Sequence, residues 1–168
     1  MDATALYKFQ SGLYVISAES ATEHGACLIN TGLQLTSEPL KIQAVVNKQN
    51  FTEHIIEEAG HFALTILTEE ATMPYIGRFG FRTSENFDKF GAEEPARTVL
   101  GDPYEPASAA AVIACEVEGT LDVGTHMLFV GRVVDAQLLS EATPMTYAYY
   151  HTVLKGKTPP KASSYVAE

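Results

Sequence analysis

Basic residues are scarce: 11 Lys and Arg stand against 21 Asp and Glu in 168 residues, a formal net charge of -10. No basic run occurs anywhere, which argues against nucleic acid as a partner, because phosphate contacts need clustered Lys and Arg. Cysteine is scarcer still. Cys27 and Cys115 are too few and too far apart for a disulfide framework or a zinc site, and each lies in an apolar strand-like run. Both therefore read as small core residues. No apolar stretch approaches the roughly 20 residues of a membrane span. Met1 to Thr4 lacks the basic and then apolar start of a secretory leader, so the expected location is the cytoplasm and no membrane partner is expected. There is no internal repeat, and Gly77 to Gly80 is no dinucleotide fingerprint. Neither paired carboxylates nor a nucleophilic triad can be picked out.

What is present describes one soluble domain with a proper core, at 46% hydrophobic and 19% charged residues. Ala5 to Gln10 reads as a short amphipathic helix, and Gly12 to Ser17 and Ala26 to Thr31 as strands. Leu40 to Asn47 alternates Leu40, Ile42, Ala44 and Val46 with polar residues, a strand with one face in the core. Asn50 with Glu53 three residues later predicts a capping box, opening a helix that ends at Gly60. Phe62 to Leu67 is a strand, and Thr72-Met73-Pro74 caps a second short helix closing near Gly80. Gly91 to Ser108 reads as a surface excursion. Ala111 to Val117 and Met127 to Leu139 are the last strands, with Gly131 marking a bulge. Pro144 to Val153 is a short helix or arm, and Lys155 to Tyr165 a proline-stiffened linker. Six or so strands, two short helices and no βαβ alternation favour an antiparallel barrel over a doubly wound fold. Residues 1–153 form the domain and 154–168 a tail or linker.

Two polar stretches stand out. Asn30 to Pro39 places Asn30, Thr31, Gln34, Thr36 and Ser37 between two apolar runs, more polar groups than a turn needs. They suit either a strand end with an Asx or Ser turn or the edge of a phosphate or heteroaromatic ligand. Asn47-Lys48-Gln49-Asn50 leads from a strand into a helix N-terminus, a setting suited to an anion. Lys48 there is either a point charge for that anion or a solvated loop lysine.

The ordered motifs resemble the flavin reductase-like family. They are Gly12-Leu13-Tyr14-Val15, Asn30-Thr31-x-x-Gln34-Leu35-Thr36-Ser37-x-Pro39, Asn47-Lys48-x-Asn50-x-Thr52, Phe79-Gly80, Asp88-Lys89-Phe90, and Gly124-Thr125-His126 with Phe129-x-Gly131. The resemblance covers nearly the whole chain. It implies a mainly β fold, an antiparallel FMN-binding split barrel that forms a homodimer. Within the family it is strongest to the flavin reductase module of high-molecular-weight rubredoxins, where Tyr-Tyr-His and a Lys-Gly-x-x-Pro linker lead into a rubredoxin. Here Tyr149-Tyr150-His151 and that linker are present, but no Cys-x-x-Cys pair builds a rubredoxin iron site. A second departure is Thr83-Ser84-Glu85, where similar proteins often carry Ser-Gly.

The resemblance implies that Asn30, Thr31, Gln34 and Leu35 line the flavin ring edge, with Thr36 and Ser37 at the ribityl or phosphate groups. Asn47, Lys48, Asn50 and Thr52 would hold the phosphate, and Asp88, Lys89 and Phe90 would close over the site, either from the same chain or from the other subunit. The implied activity is an NAD(P)H:flavin oxidoreductase that transfers hydride from NAD(P)H to FMN. Electrons would pass to an acceptor such as rubredoxin or free flavin. His126 would act near the nicotinamide, or else serve as a strand-end histidine. Arg78, Arg82 and Lys89 would make a positive mouth, or else pair on the surface. Tyr147 to Tyr150 are expected in dimer packing. Two alternatives remain: a tightly FMN-bound electron carrier with little nicotinamide activity, and an interaction module without cofactor.

Overall fold

The computed structural model describes residues 2–91 and 94–165. After a short 3-10 helix, Ala3–Lys8, come β1 (Tyr14–Glu19), β2 (His24–Ile29), β3 (Leu33–Ser37) and β4 (Leu40–Asn47). Then follow α1 (Phe51–Ala59), β5 (His61–Leu67), α2 (Met73–Gly80), β6 (Ala96–Arg97) and β7 (Pro103–Tyr104). The long β8 (Ala109–Asp122), β9 (His126–Leu138) and α3 (Tyr147–Thr152) complete the order. Seven strands form one antiparallel sheet in the order β2-β1-β5-β8-β9-β4-β3, and β6-β7 is a separate hairpin. The sheet curls without closing, the split barrel expected from the resemblance.

Its core is fed from both faces of β1 and β2. Ile16, Ala18 and Cys27 point inward to Ala44, Val46, Phe62, Phe129 and the α1 residues Ile55 and Ile56. Their neighbours Val15 and Ala26 point outward to Ile76 and Phe79 of α2, Met145 and Tyr150. This is the period-2 alternation of a strand buried on both sides. Both cysteines are free and buried in the inner core, and burial pushes the Cys27 thiol up to about 11.

Asn50 caps α1 through its side-chain oxygen, which accepts from the Thr52 N–H at 3.2 Å, and Gly60 ends the helix at a left-handed φ of 72°. The capping box does not form. The carboxylate of buried Glu53 turns to His54, and the Asn50 N–H donates to the Asn47 carbonyl instead. Asn30 to Pro39, read as a strand end with an Asx or Ser turn or as a ligand edge, contains β3, an edge strand exposed at every residue. The Gly91–Ser108 excursion is pinned down by fully buried Asp102, which accepts from the Glu19 N–H at 3.1 Å and bonds His61 Nδ1 at 2.8 Å. Burial raises the Asp102 carboxyl's pKa, and His61 beside it opposes that rise. The irregularity near Gly131 lies on the opposite strand, between Val117 and Gly119. Gly131 itself is closely packed: a Cβ there would lie 2.7 Å from the Phe62 ring and 2.8 Å from Cys115 Cβ.

Candidate functional site

β3 pairs with β4 only from Leu40 to Gln43. On that side, Ala44 to Asn47 have no strand beside them and face β2, which closes the other end of the sheet. Unpaired backbone groups in such a seam are costly when buried. The Thr31 hydroxyl serves two of them, donating to the Val45 carbonyl at 2.8 Å and accepting from the Val45 N–H at 3.1 Å. A cleft opens beside this bridge between the ends of β2 and β4. Its apolar walls come from Leu28 and Ile29 on one side and Val45 and Val46 on the other, with Phe81, Tyr147 and Tyr150 closing it. The polar side chains at its rim include Asn30, Asn47, Asn50 and His126.

The tail forms the roof. The Lys161 carbonyl meets Asn47 Nδ2 at 3.1 Å and His126 Nε2 at 3.3 Å. Ser164 Oγ accepts from Asn30 Nδ2 at 3.1 Å, while Ser163 Oγ donates to Asn30 Oδ1 at 3.2 Å. The stretch read as a linker is therefore folded back on the domain. In the single chain Tyr150 and Tyr147 pack against the tail. Tyr150 is 2% exposed and its hydroxyl donates to the Lys157 carbonyl, while the Tyr147 hydroxyl meets Thr158 Oγ1 at 2.8 Å.

The structure gathers Asn30, Asn47, Asn50 and His126 at one cleft, with Thr31 bracing its seam. The other residues singled out from the sequence lie elsewhere in the single chain. Gln34, Leu35, Thr36 and Ser37 sit on exposed β3, where Gln34 bonds the Thr36 carbonyl and the Thr36 hydroxyl the Pro39 carbonyl. Lys48 reaches across to β8 and pairs with Asp122, whose carboxyl that bond holds below the usual carboxylate range. Thr52 is fully buried beneath Gly25, where a Cβ would lie 3.2 Å from Thr52 Oγ1.

Asp88, Lys89 and Phe90 close over the outer edge of β2 rather than over the cleft. Lys89, 2% exposed, donates to the carbonyls of Ala26 at 2.7 Å and Phe79 at 2.9 Å, and burial lowers its pKa. Ser84 Oγ accepts from the Ala26 N–H and donates to the same Ala26 carbonyl, so this edge strand is covered by side chains instead of a further strand. Asp88 faces His24 at 3.6 Å, and Phe90 packs edge-on to Phe79. Arg78 pairs with Glu105, and Arg82 lies over the Phe87 ring. A positive mouth built from these three cations is absent in the single chain. The residues that sequence reasoning missed are in the tail, Lys161 and Ser163 above all. Their signal was present in Lys155 to Tyr165, but its prolines read as a spacer.

Residues 6–157 match the flavin reductase like domain. The chain is 44% identical to a ferric-chelate reductase (NAD(P)H) of Archaeoglobus fulgidus over 165 residues, covering 98% of each chain. It is 37% identical to a high molecular weight rubredoxin of Moorella thermoacetica, over 98% of this chain and 72% of that one. Its fold resembles that of an NADH:FAD oxidoreductase of Streptomyces globisporus, with a TM-score of 0.74 at 19% identity over 82% of this chain and 81% of the other. The open seven-stranded barrel, with a cleft at its split, thus has its counterpart in sequence, and the chain belongs to the flavin reductase-like family.

Proposed function

We propose that this protein binds FMN in the cleft between β2 and β4 and acts as an NAD(P)H:flavin oxidoreductase, passing electrons to an acceptor such as a rubredoxin or free flavin. The observation that carries the reading is the make-up of the cleft: apolar and aromatic walls, three side-chain amides and an imidazole at the rim, and no carboxylate among the described lining residues. These residues fit the group. A planar ring is held by apolar walls and oriented by a few convergent polar groups. Asn47 and His126 already converge on a peptide carbonyl, the same type of acceptor that a flavin's pyrimidine edge presents.

Bound FMN supplies the hydride-accepting ring; the protein supplies binding, orientation and exclusion of water. Asn47 is fixed for this work, because its Oδ1 accepts from the Gln49 N–H at 2.9 Å and leaves Nδ2 directed at the cleft. His126 is held through Nδ1 by the Thr125 hydroxyl at 2.8 Å, which leaves Nε2 directed the same way. Tyr147 and Tyr150, stacked with centroids 5.7 Å apart, stiffen the wall beneath the tail. Exposed β3, with Leu33 60% and Leu35 42% accessible, is the face offered to a second copy in the homodimer that accompanies this reading.

The test is the visible spectrum of the purified protein with FMN, followed anaerobically after NADH or NADPH is added. Bleaching of the flavin band by a nicotinamide supports the reductase. Bleaching by dithionite alone identifies an electron carrier, and a colourless protein that takes up no FMN refutes both.

A further inference from the structure

Lys161 is the one lysine or arginine among the described residues that line the cleft. In a chain of net charge -10, no Asp or Glu is among those lining residues. Neighbouring cations are committed elsewhere: Lys48 to Asp122, Arg78 to Glu105 and Lys89 to two buried carbonyls. Lys161 has no ion pair among the described residues. Its Nζ makes one long bond, 3.5 Å to the Gln49 carbonyl in the turn before α1. An ammonium with unfilled donors, on a wall without carboxylates, favours an anionic ligand group.

The segment carrying Lys161 is fixed at one end and exchangeable at the other. At its root, Gly156 is so close to the Tyr150 ring that a Cβ would lie 2.1 Å away, and the Gly156 carbonyl bonds His151 Nδ1 at 2.9 Å. Beyond Thr158 the tail is held at the rim by polar bonds to Asn30, Asn47 and His126, groups that a bound ligand can equally engage. The space left beneath it is about 50 Å³, far below the roughly 300 Å³ at which ligand pockets begin. A flavin ring therefore enters only when this segment moves aside.

We infer that residues 158–165 form a strap that lifts to admit the flavin and closes again with Lys161 against its phosphate, so that Lys161 selects FMN over unphosphorylated flavin. The inference rests on the flavin reading above. On closing, the strap contributes a charge-assisted contact that riboflavin, lacking the phosphate, does not receive.

The experiment titrates flavin-free protein with FMN and with riboflavin, for the wild type, Lys161→Gln and Lys161→Arg, at low ionic strength. Lys161→Gln is expected to raise the Kd for FMN about tenfold or more and to leave that for riboflavin unchanged, with Lys161→Arg restoring FMN binding. In the wild type, FMN should also slow tryptic cleavage after Lys161 more than riboflavin does. If Lys161→Gln weakens both flavins equally, changes neither, or tightens FMN, the inference fails while the flavin reading stands. If the wild type binds neither flavin, both fall together.

Discussion

Replacing Thr31 by Val removes one hydroxyl and keeps the side chain's shape, so it isolates the bridge across the split. Two bonds are lost, one to the Val45 carbonyl and one from the Val45 N–H. A neutral hydrogen bond contributes about 1 kcal/mol net, and a buried backbone group left unpaired costs about 1–3 kcal/mol. Thr31 and Val45 are half-buried, so water partly compensates, and a destabilisation of about 2–3 kcal/mol is expected. For a domain of this size that lowers Tm by about 5–10 °C. Urea unfolding of wild type, Thr31→Val and Thr31→Ser provides the assay. Thr31→Ser keeps the hydroxyl and should remain near the wild type. A midpoint for Thr31→Val within about 0.5 kcal/mol of wild type would show that the seam needs no bridge. A Thr31→Ser loss as large as that of Thr31→Val would assign the effect to the methyl group and refute the reasoning.

Gly131→Ala would place a Cβ against both the Phe62 ring and Cys115 Cβ, and should cost about 1–3 kcal/mol from overpacking in the same unfolding assay. Lys89, its pKa lowered by burial from the ordinary 10.5, binds its proton more weakly in the folded than in the unfolded chain. Its contribution to stability is therefore present above 10.5 and lost as pH falls through the depressed folded-state value. Stability measured from pH 7 to 10 should accordingly rise more steeply with pH in the wild type than in Lys89→Met; parallel curves would contradict the assignment.

β4 and α1 were legible because one rule governs each. Alternation along Leu40 to Asn47 gives a strand with one buried face, and Asn50 and Gly60 punctuate the helix. β3 was not, because an edge strand exposed on both faces carries no period to read. β8 runs on to Asp122 past the apolar stretch ending at Val117, since beyond the core it is held by its ladder to β9 rather than by burial. In the site, Asn30, Asn47, Asn50 and His126 could be picked out through the ordered motifs of the family resemblance, since each taken alone also reads as a turn, cap or strand-end residue. Lys89 was expected over the site or in a positive mouth, and its place on the Ala26 and Phe79 carbonyls was not legible. Only the fold shows that the edge of β2 needs donors for its outward carbonyls. The tail was misread for a similar reason: its partners Asn30 and Asn47 lie more than a hundred residues away.

The position of the cleft follows from how the barrel fails to close. A closed barrel pairs every strand with two neighbours, so it has no slot between strands through its wall. Here β3 leaves β4 halfway along, and the edge of Ala44 to Asn47 is turned toward β2 and bridged at Val45 by Thr31. Consecutive apolar residues at the two strand ends, Leu28 with Ile29 and Val45 with Val46, become the cleft walls. The strand ends supply the polar rim, because Asn47 and His126 are directly paired in the last rung of the β4-β9 ladder. An apolar slot with amides at one end thus arises from a single interruption in strand pairing. The tail, anchored on α3, covers it.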